Sequence, residues 1–173
     1  MDAYEDFDEF VRARRLPLLR TATLLTGDRH AAEDLLQETL VRAAQRWPAI
    51  SAGRSPEACV RRILYTRSID AWRKRRRRAE PVAHHERSDP AAGDQAEHSD
   101  SRVTLAQALG LLTPKQRAVL VVRFYEDQTE LEAARILGCS VNTVKSQTRH
   151  ALGRLRELAP ELLETFGRQE VQR

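Results

Sequence analysis

Residues 80–101 hold one large aliphatic side chain, Val82, together with six acidic residues and one basic. Such a stretch cannot bury enough apolar surface to offset the entropy of ordering it, so the sequence predicts a flexible linker there. This feature divides the 173-residue chain. A first domain is expected over 4–79 and a second over 102–160, with 161–173 as a C-terminal tail. Each domain must build its core from nearby elements. Aromatic residues make up only 5% of the chain, which disfavours sheets. Ala, Leu, Arg, Glu and Gln dominate, and all form helices readily. The expected fold is all-α, with two small helical domains joined by a flexible linker.

Apolar periodicity and punctuation place the helices. Phe7, Phe10, Val11, Leu18, Ala22 and Leu25 recur at helical spacing over Tyr4–Leu25, with Pro17 expected to kink or divide the helix. Gly27-Asp28 closes it and caps the next, Arg29–Trp47, which Pro48 is expected to stop. Ala49–Arg54 reads as a loop. Ser55-Pro56 opens a helix to about Arg78. In the second domain a short helix over about Arg102–Leu109 ends at Gly110. Thr113…Gln116 and Thr129…Glu132 are capping boxes. Gly138-Cys139-Ser140 is a tight turn, and a last helix runs from Val141 to about Leu158.

The formal net charge of +4 conceals blocks. Residues 54–78 carry ten basic and two acidic groups, whereas 79–101 carry one basic and six acidic. Blocks of opposite sign point to separate surfaces with separate partners. No GxxxxGK[ST], GxSxG, HExxH or GxGxxG occurs, and Cys59, Cys139 and the histidines form no ligand spacing. No apolar run approaches the length of a membrane span, and residues 2–9 are acidic, unlike a signal peptide. The chain is therefore expected to be a cytoplasmic non-enzyme without cofactor, metal or membrane partner.

Three surfaces carry chemistry. The first is a helix-turn-helix: Gly138 makes the turn, Ala134 precedes it where helices pack closely, and Val144 seals the core. Val141, Val144, Thr148, Leu152 and Leu155 form an inward stripe. Asn142, Thr143, Ser146, Gln147 and His150 point away, flanked by Lys145 and Arg149, a pattern suited to major-groove bases and phosphates. An ordinary helical hairpin is the competing reading. The second surface is the basic helix, where Arg61, Arg62, Arg67 and the 73–78 run accompany Tyr65 and Trp72. Cations neutralise phosphate and aromatics stack on unpaired bases, although such a run also suits a solvated helix end. The third is the acidic-polar face Glu33, Asp34, Gln37 and Glu38. By spacing alone, a solvated amphipathic helix accounts for it.

Taken together, these segments resemble the extracytoplasmic-function (group IV) sigma factors. Gly27-Asp28 with Ala32–Glu38 is similar to region 2.2, Ser55–Leu64 through Trp72-Arg73 to regions 2.3–2.4, and Leu112–Leu120 with Leu137–Ser146 to regions 4.1 and 4.2. The Cys59-Val60-Arg61-Arg62 segment looks like the SigE-type actinobacterial branch. The resemblance implies that Asp34, Gln37, Glu38 and Arg42 bind core RNA polymerase at the β′ clamp coiled coil. It assigns Arg61, Arg62, Tyr65, Thr66, Arg67, Trp72, Arg73, Lys74, Arg75 and Arg76 to recognition and melting of the −10 element, with the 49–55 loop holding a flipped base of the non-template strand. Asn142, Thr143, Lys145, Ser146, Gln147, Arg149 and His150 would read the −35 element as double-stranded DNA. The helix before them would approach the β flap, and the acidic linker would thread the RNA-exit region. An anti-sigma factor is a further partner that the resemblance leaves open. Three positions depart from the family's usual residues: Thr66 (often Asn), Cys59 (often Tyr), and Gln147-Thr148 (often Arg and an apolar residue). The alternative is an operator-binding helix-turn-helix regulator that acts without polymerase.

Overall fold

The long apolar stripe of the N-terminal segment is strong enough to carry a helix through its proline. In the computed structural model, which describes residues 3–53, 55–79, 105–158 and 160, α1 runs unbroken over Ala3–Thr26 with Pro17 inside it. Pro17 therefore does not divide the helix. An internal proline costs about 3 kcal/mol. Burial of Leu18, Thr21, Ala22 and Leu25 just beyond it outweighs that. Gly27 ends the helix at φ +73, and the Asp28 side chain caps α2 (Arg29–Gln45) by accepting from Ala31 N–H at 2.7 Å.

Pro48 starts an element instead of stopping one. Helix α2 ends at Gln45, and Trp47–Ser51 forms α3 with Pro48 in its first turn, so the expected loop begins later. Proline fits a first helical turn because its missing N–H has no intrahelical partner there. The short helix holds Trp47 against Phe7 and Phe10, each with ring centroids 5.0 Å away. The indole Nε1–H donates to Asp6 Oδ2 at 3.3 Å. Helix α4 (Pro56–Ala79) is capped by Ser55 Oγ, which accepts from Ala58 N–H at 3.3 Å. It buries Val60, Leu64, Tyr65 and Ser68.

The second module starts with α5 (Leu105–Gly110) and α6 (Pro114–Leu120). Both expected capping boxes form, at Thr113/Gln116 and at Thr129/Glu132. Helix α6 passes into a π turn over Val121–Tyr125, in which Glu126 N–H reaches Val121 O at 3.0 Å. Helix α7 (Glu130–Leu137) ends on Gly138 in the left-handed region. Ser140 Oγ then accepts from Thr143 N–H at 3.1 Å and opens α8 (Val141–Leu158). Val144, Thr148, Ala151 and Leu155 are its buried stripe. No strand occurs among the described residues. The linker expected over 80–101 and the tail over 161–173 lie outside the described residues.

The two modules lie against each other. Helix α4 packs on α6 and α7, and α1 packs on α5, α6 and the π turn. Their buried apolar side chains form one cluster. Arg117 ties the seam with three donations: Nη1 to Leu25 O at 2.7 Å, Nε to Leu109 O at 2.7 Å, and Nη2 to Gly110 O at 3.0 Å. The first satisfies a carbonyl at the C-terminal end of α1 that the helix itself cannot.

Gly138 is the backbone position on which the helix-turn-helix depends. An L side chain at its φ costs about 1–2 kcal/mol, and a Cβ there would also stand 3.1 Å from Arg62 Nη2. Gly138→Ala is expected to lower stability by about that amount in urea unfolding. An unchanged midpoint would show that the turn relaxes without cost.

Candidate polymerase and nucleic-acid interfaces

Helix α2 divides its residues by periodicity. Ala32, Leu35, Leu36, Thr39 and Ala43 go inward, which leaves Asp34, Gln37, Glu38, Val41, Arg42 and Gln45 along one open groove of about 450 Å³. The four residues expected to contact polymerase share this groove. Val41, exposed at 57%, supplies an apolar contact that sequence reading overlooked, since an isolated valine among polar residues carries no signal. Glu38 pairs with Arg42 at 3.6 Å and accepts from Arg67 of α4. That bond braces α2 against the basic helix α4.

Helix α4 presents its cations unequally. Arg62, Thr66, Arg73 and Lys74 are exposed. Thr66 Oγ1 donates back to Arg62 O at 2.8 Å. Arg67 is three-quarters buried, held by Glu38 and by Asp70 at 3.7 Å. Trp72 is half-buried and lines a cleft of about 350 Å³ together with Asp34, Glu38, Arg67, Lys74 and Arg117. Its indole therefore lies between the α2 face and the basic face. Nothing is described of the Arg75 and Arg76 side chains.

Tyr65 and Arg61 lie elsewhere. Tyr65 is fully buried, with its hydroxyl raised well above the usual phenol range by burial and by the neighbouring Glu126 carboxylate. Arg61 pairs with Glu57 at 2.7 Å and stands 3.7 Å from Glu126. In this arrangement neither faces solvent as a stacking platform or a free phosphate contact. Both point into the seam between the modules.

Helix α8 carries its expected polar face outward. Asn142, Thr143, Lys145, Arg149 and His150 are exposed, and Ser146 and Gln147 are half-buried. Lys145 reaches Glu130 of α7 at 3.5 Å. Thr148 is buried with its hydroxyl unbonded, so the position works as core despite its oxygen. The Cys139 thiol is pushed up by burial, opposed by Lys115.

This geometry consists of a helical bundle with one acidic-polar and one basic helix, followed by a helix-turn-helix. It coincides with known families at both ends. Residues 10–78 match Sigma-70 region 2 and residues 102–155 match Sigma-70, region 4. An RNA polymerase sigma-E factor of Streptomyces avermitilis is 40% identical over 88% of this chain and 84% of its own. The chain belongs to the sigma-70 family, in its extracytoplasmic-function branch. As a sigma factor it serves promoter-specific transcription. The sigma-E factor of Streptomyces coelicolor is 39% identical over 88% of this chain and 85% of its own. Among solved structures, the sigma factor RpoE in complex with the anti-sigma factor NepR from Bartonella quintana superposes with a TM-score of 0.69. It is 27% identical and covers 89% of this chain and 96% of its own. CnrH, in complex with the cytosolic domain of CnrY, shares the fold at a TM-score of 0.58.

Two residues of α8 test the expected division between base reading and phosphate binding. Asn142→Ala is expected to cost about 1–3 kcal/mol on the preferred −35 sequence and to relax discrimination at one base pair. Lys145→Gln is expected to weaken all sequences alike and to reduce the salt slope by about 1. Binding titrations at several salt concentrations measure both. Uniform loss from Asn142→Ala would remove it from base readout.

Proposed function

We propose that the sigma factor uses the α2 groove to bind core RNA polymerase, α4 to recognise and open the −10 element, and α8 to read the −35 element. The division of labour follows a domain of residues 4–79, a linker of 80–101, a domain of 102–160 and a tail of 161–173. Asp34, Gln37, Glu38 and Arg42 dock on the β′ clamp coiled coil, and the second module approaches the β flap. Arg62, Thr66, Arg73 and Lys74 bind promoter DNA, with Arg67 held behind them by Glu38 and Asp70 and Arg75 and Arg76 extending the same run. Trp72 supplies a stacking surface for an unpaired base. Unstacking costs a few kcal/mol, and stacking returns about 1–3 kcal/mol per base. Binding energy held in α4 can therefore support melting without a catalytic group. Tyr65 and Arg61 join this work once the second module leaves α4.

The sigma factor performs no bond chemistry of its own on this reading; the polymerase does. It acts in the cytoplasm, where polymerase and chromosome are. Among the described residues no helix is long and apolar enough to cross a membrane. One structural neighbour, the sigma factor RpoE, is in complex with the anti-sigma factor NepR, and an anti-sigma factor is proposed here on that likeness.

The observation that carries the proposal is the open groove of α2. Its stripe of Asp34, Gln37, Glu38, Val41, Arg42 and Gln45 lines a groove open to solvent. A regulator working through α8 alone has no use for such a face. Asp34→Arg is expected to abolish co-elution with core polymerase while circular dichroism and melting stay unchanged, because Asp34 is exposed and supports no core contact. Retained co-elution would overturn the docking face.

A further inference from the structure

One charged surface has no place in the roles above. Helix α1 carries Asp6, Asp8 and Glu9 in its first half and then Arg12, Arg14, Arg15 and Arg20. All four arginines are exposed. Residues three, four and eight positions apart share one side of a helix, so Arg12, Arg15, Leu16 and Arg20 form a single stripe. The core-facing side of the same helix buries Leu18, Ala22 and Leu25.

Neither the helix dipole nor ion pairing accounts for the stripe. The dipole favours cations only within the last turn, and the last turn of α1 holds no basic residue. Arg14 reaches Glu57 of α4 at 3.0 Å. Among the described residues Arg12, Arg15 and Arg20 pair with no carboxylate, although Asp8 stands four positions before Arg12, where a helical pair can form. Leu16, between these arginines, is 64% exposed, so no described residue covers the stripe.

Unpaired guanidiniums suit phosphate, because they are weakly hydrated and present a fork of donors. Arg12 to Arg20 spans about 12 Å of helix. Duplex DNA carries one charge per ~1.7 Å of its axis, so about seven phosphates fall within that length. The stripe also adjoins the helix proposed to hold promoter DNA. Arg14 and Arg20 line a pocket of about 190 Å³ together with Arg61 of α4, and the next residue, Arg62, is exposed. The groove of α2 carries Asp34 and Glu38 and repels a phosphate backbone. The α1 stripe attracts one.

We propose that Arg12, Arg15 and Arg20 of α1 form a further, sequence-independent contact of the sigma factor with the phosphates of duplex DNA flanking the −10 element. The claim rests on the proposed function, which sets promoter DNA on the neighbouring α4. Phosphate contacts hold a protein on the duplex without reading its bases. The stripe therefore adds affinity and salt dependence and no base preference. Replacing the three arginines by glutamine removes the charge at exposed positions outside the core. Replacing them by lysine keeps it.

Anisotropy titrations of a labelled promoter duplex with core polymerase saturated by the sigma factor, repeated over a range of salt, test the stripe. Circular dichroism controls for folding and co-elution with core polymerase for docking. The triple variant Arg12→Gln/Arg15→Gln/Arg20→Gln should bind about tenfold more weakly at low salt. Its slope of log affinity against log salt should be smaller by about 0.9 per arginine replaced. A duplex with scrambled −10 and −35 sequences should show the same fold loss, and the triple lysine variant should keep the wild-type slope. An unchanged slope in the glutamine variant would overturn the proposal, as would a loss confined to the intact promoter. Lost co-elution with core polymerase would give the stripe to the polymerase and overturn it too. If the triple variant loses helicity, Arg12→Gln and Arg20→Gln decide singly, each expected to lower the slope by about 0.9. Failure of wild type to bind core polymerase counts against the proposed function. Titration of the scrambled duplex with the free full chain and its glutamine variant then decides the stripe on its own.

Discussion

Helix α4 must satisfy two demands that conflict. It has to bury Val60, Leu64 and Tyr65 to hold the first module together, and it lies in the most basic segment of the chain. Burying charge is costly unless it is paired, so the helix sorts its cations. Arg61 and Arg67, nearest the packing surfaces, are matched by Glu57, Glu126, Glu38 and Asp70. Arg62 and Lys74 are left toward solvent. The bond from Arg67 to Glu38 places the acidic groove of α2 beside the basic face of α4, so that the proposed polymerase contact and the proposed nucleic-acid contact share one helical bundle.

The same sorting accounts for the closeness of the second module. It offers α4 an apolar surface and one carboxylate, and takes Tyr65 and Arg61 in return. A seam built partly from a desolvated charge is weaker than one built from methyl groups.

Much of this was legible in the residues. Both capping boxes, the Ser55 and Ser140 caps, the left-handed Gly138 and the inward stripe of α8 follow from local rules, because each depends on groups within a few positions. The groove of α2 was legible as a face, but what it binds came only from resemblance, since a solvated helix has the same spacing. Pro17 and Pro48 misled because proline's cost is local, whereas the burial that outweighs it is tertiary. The π turn left no mark in a segment that reads as ordinary helix. Glu126 was illegible for a related reason. Glu126-Asp127-Gln128 looks like a polar loop, and the residues that bury it, Thr21, Arg61 and Tyr65, are 61 or more positions away. Tyr65 was placed among base-contacting groups on its helix's charge, and only packing shows its ring turned into the seam.

Hydrogen–deuterium exchange on the full chain, free and bound to core polymerase, tests the account most directly, because it reads every described helix at once. Binding should slow exchange along the exposed turns of α2 around Asp34–Arg42. Slowed exchange confined to α8, with α2 unchanged, would contradict the polymerase-docking face.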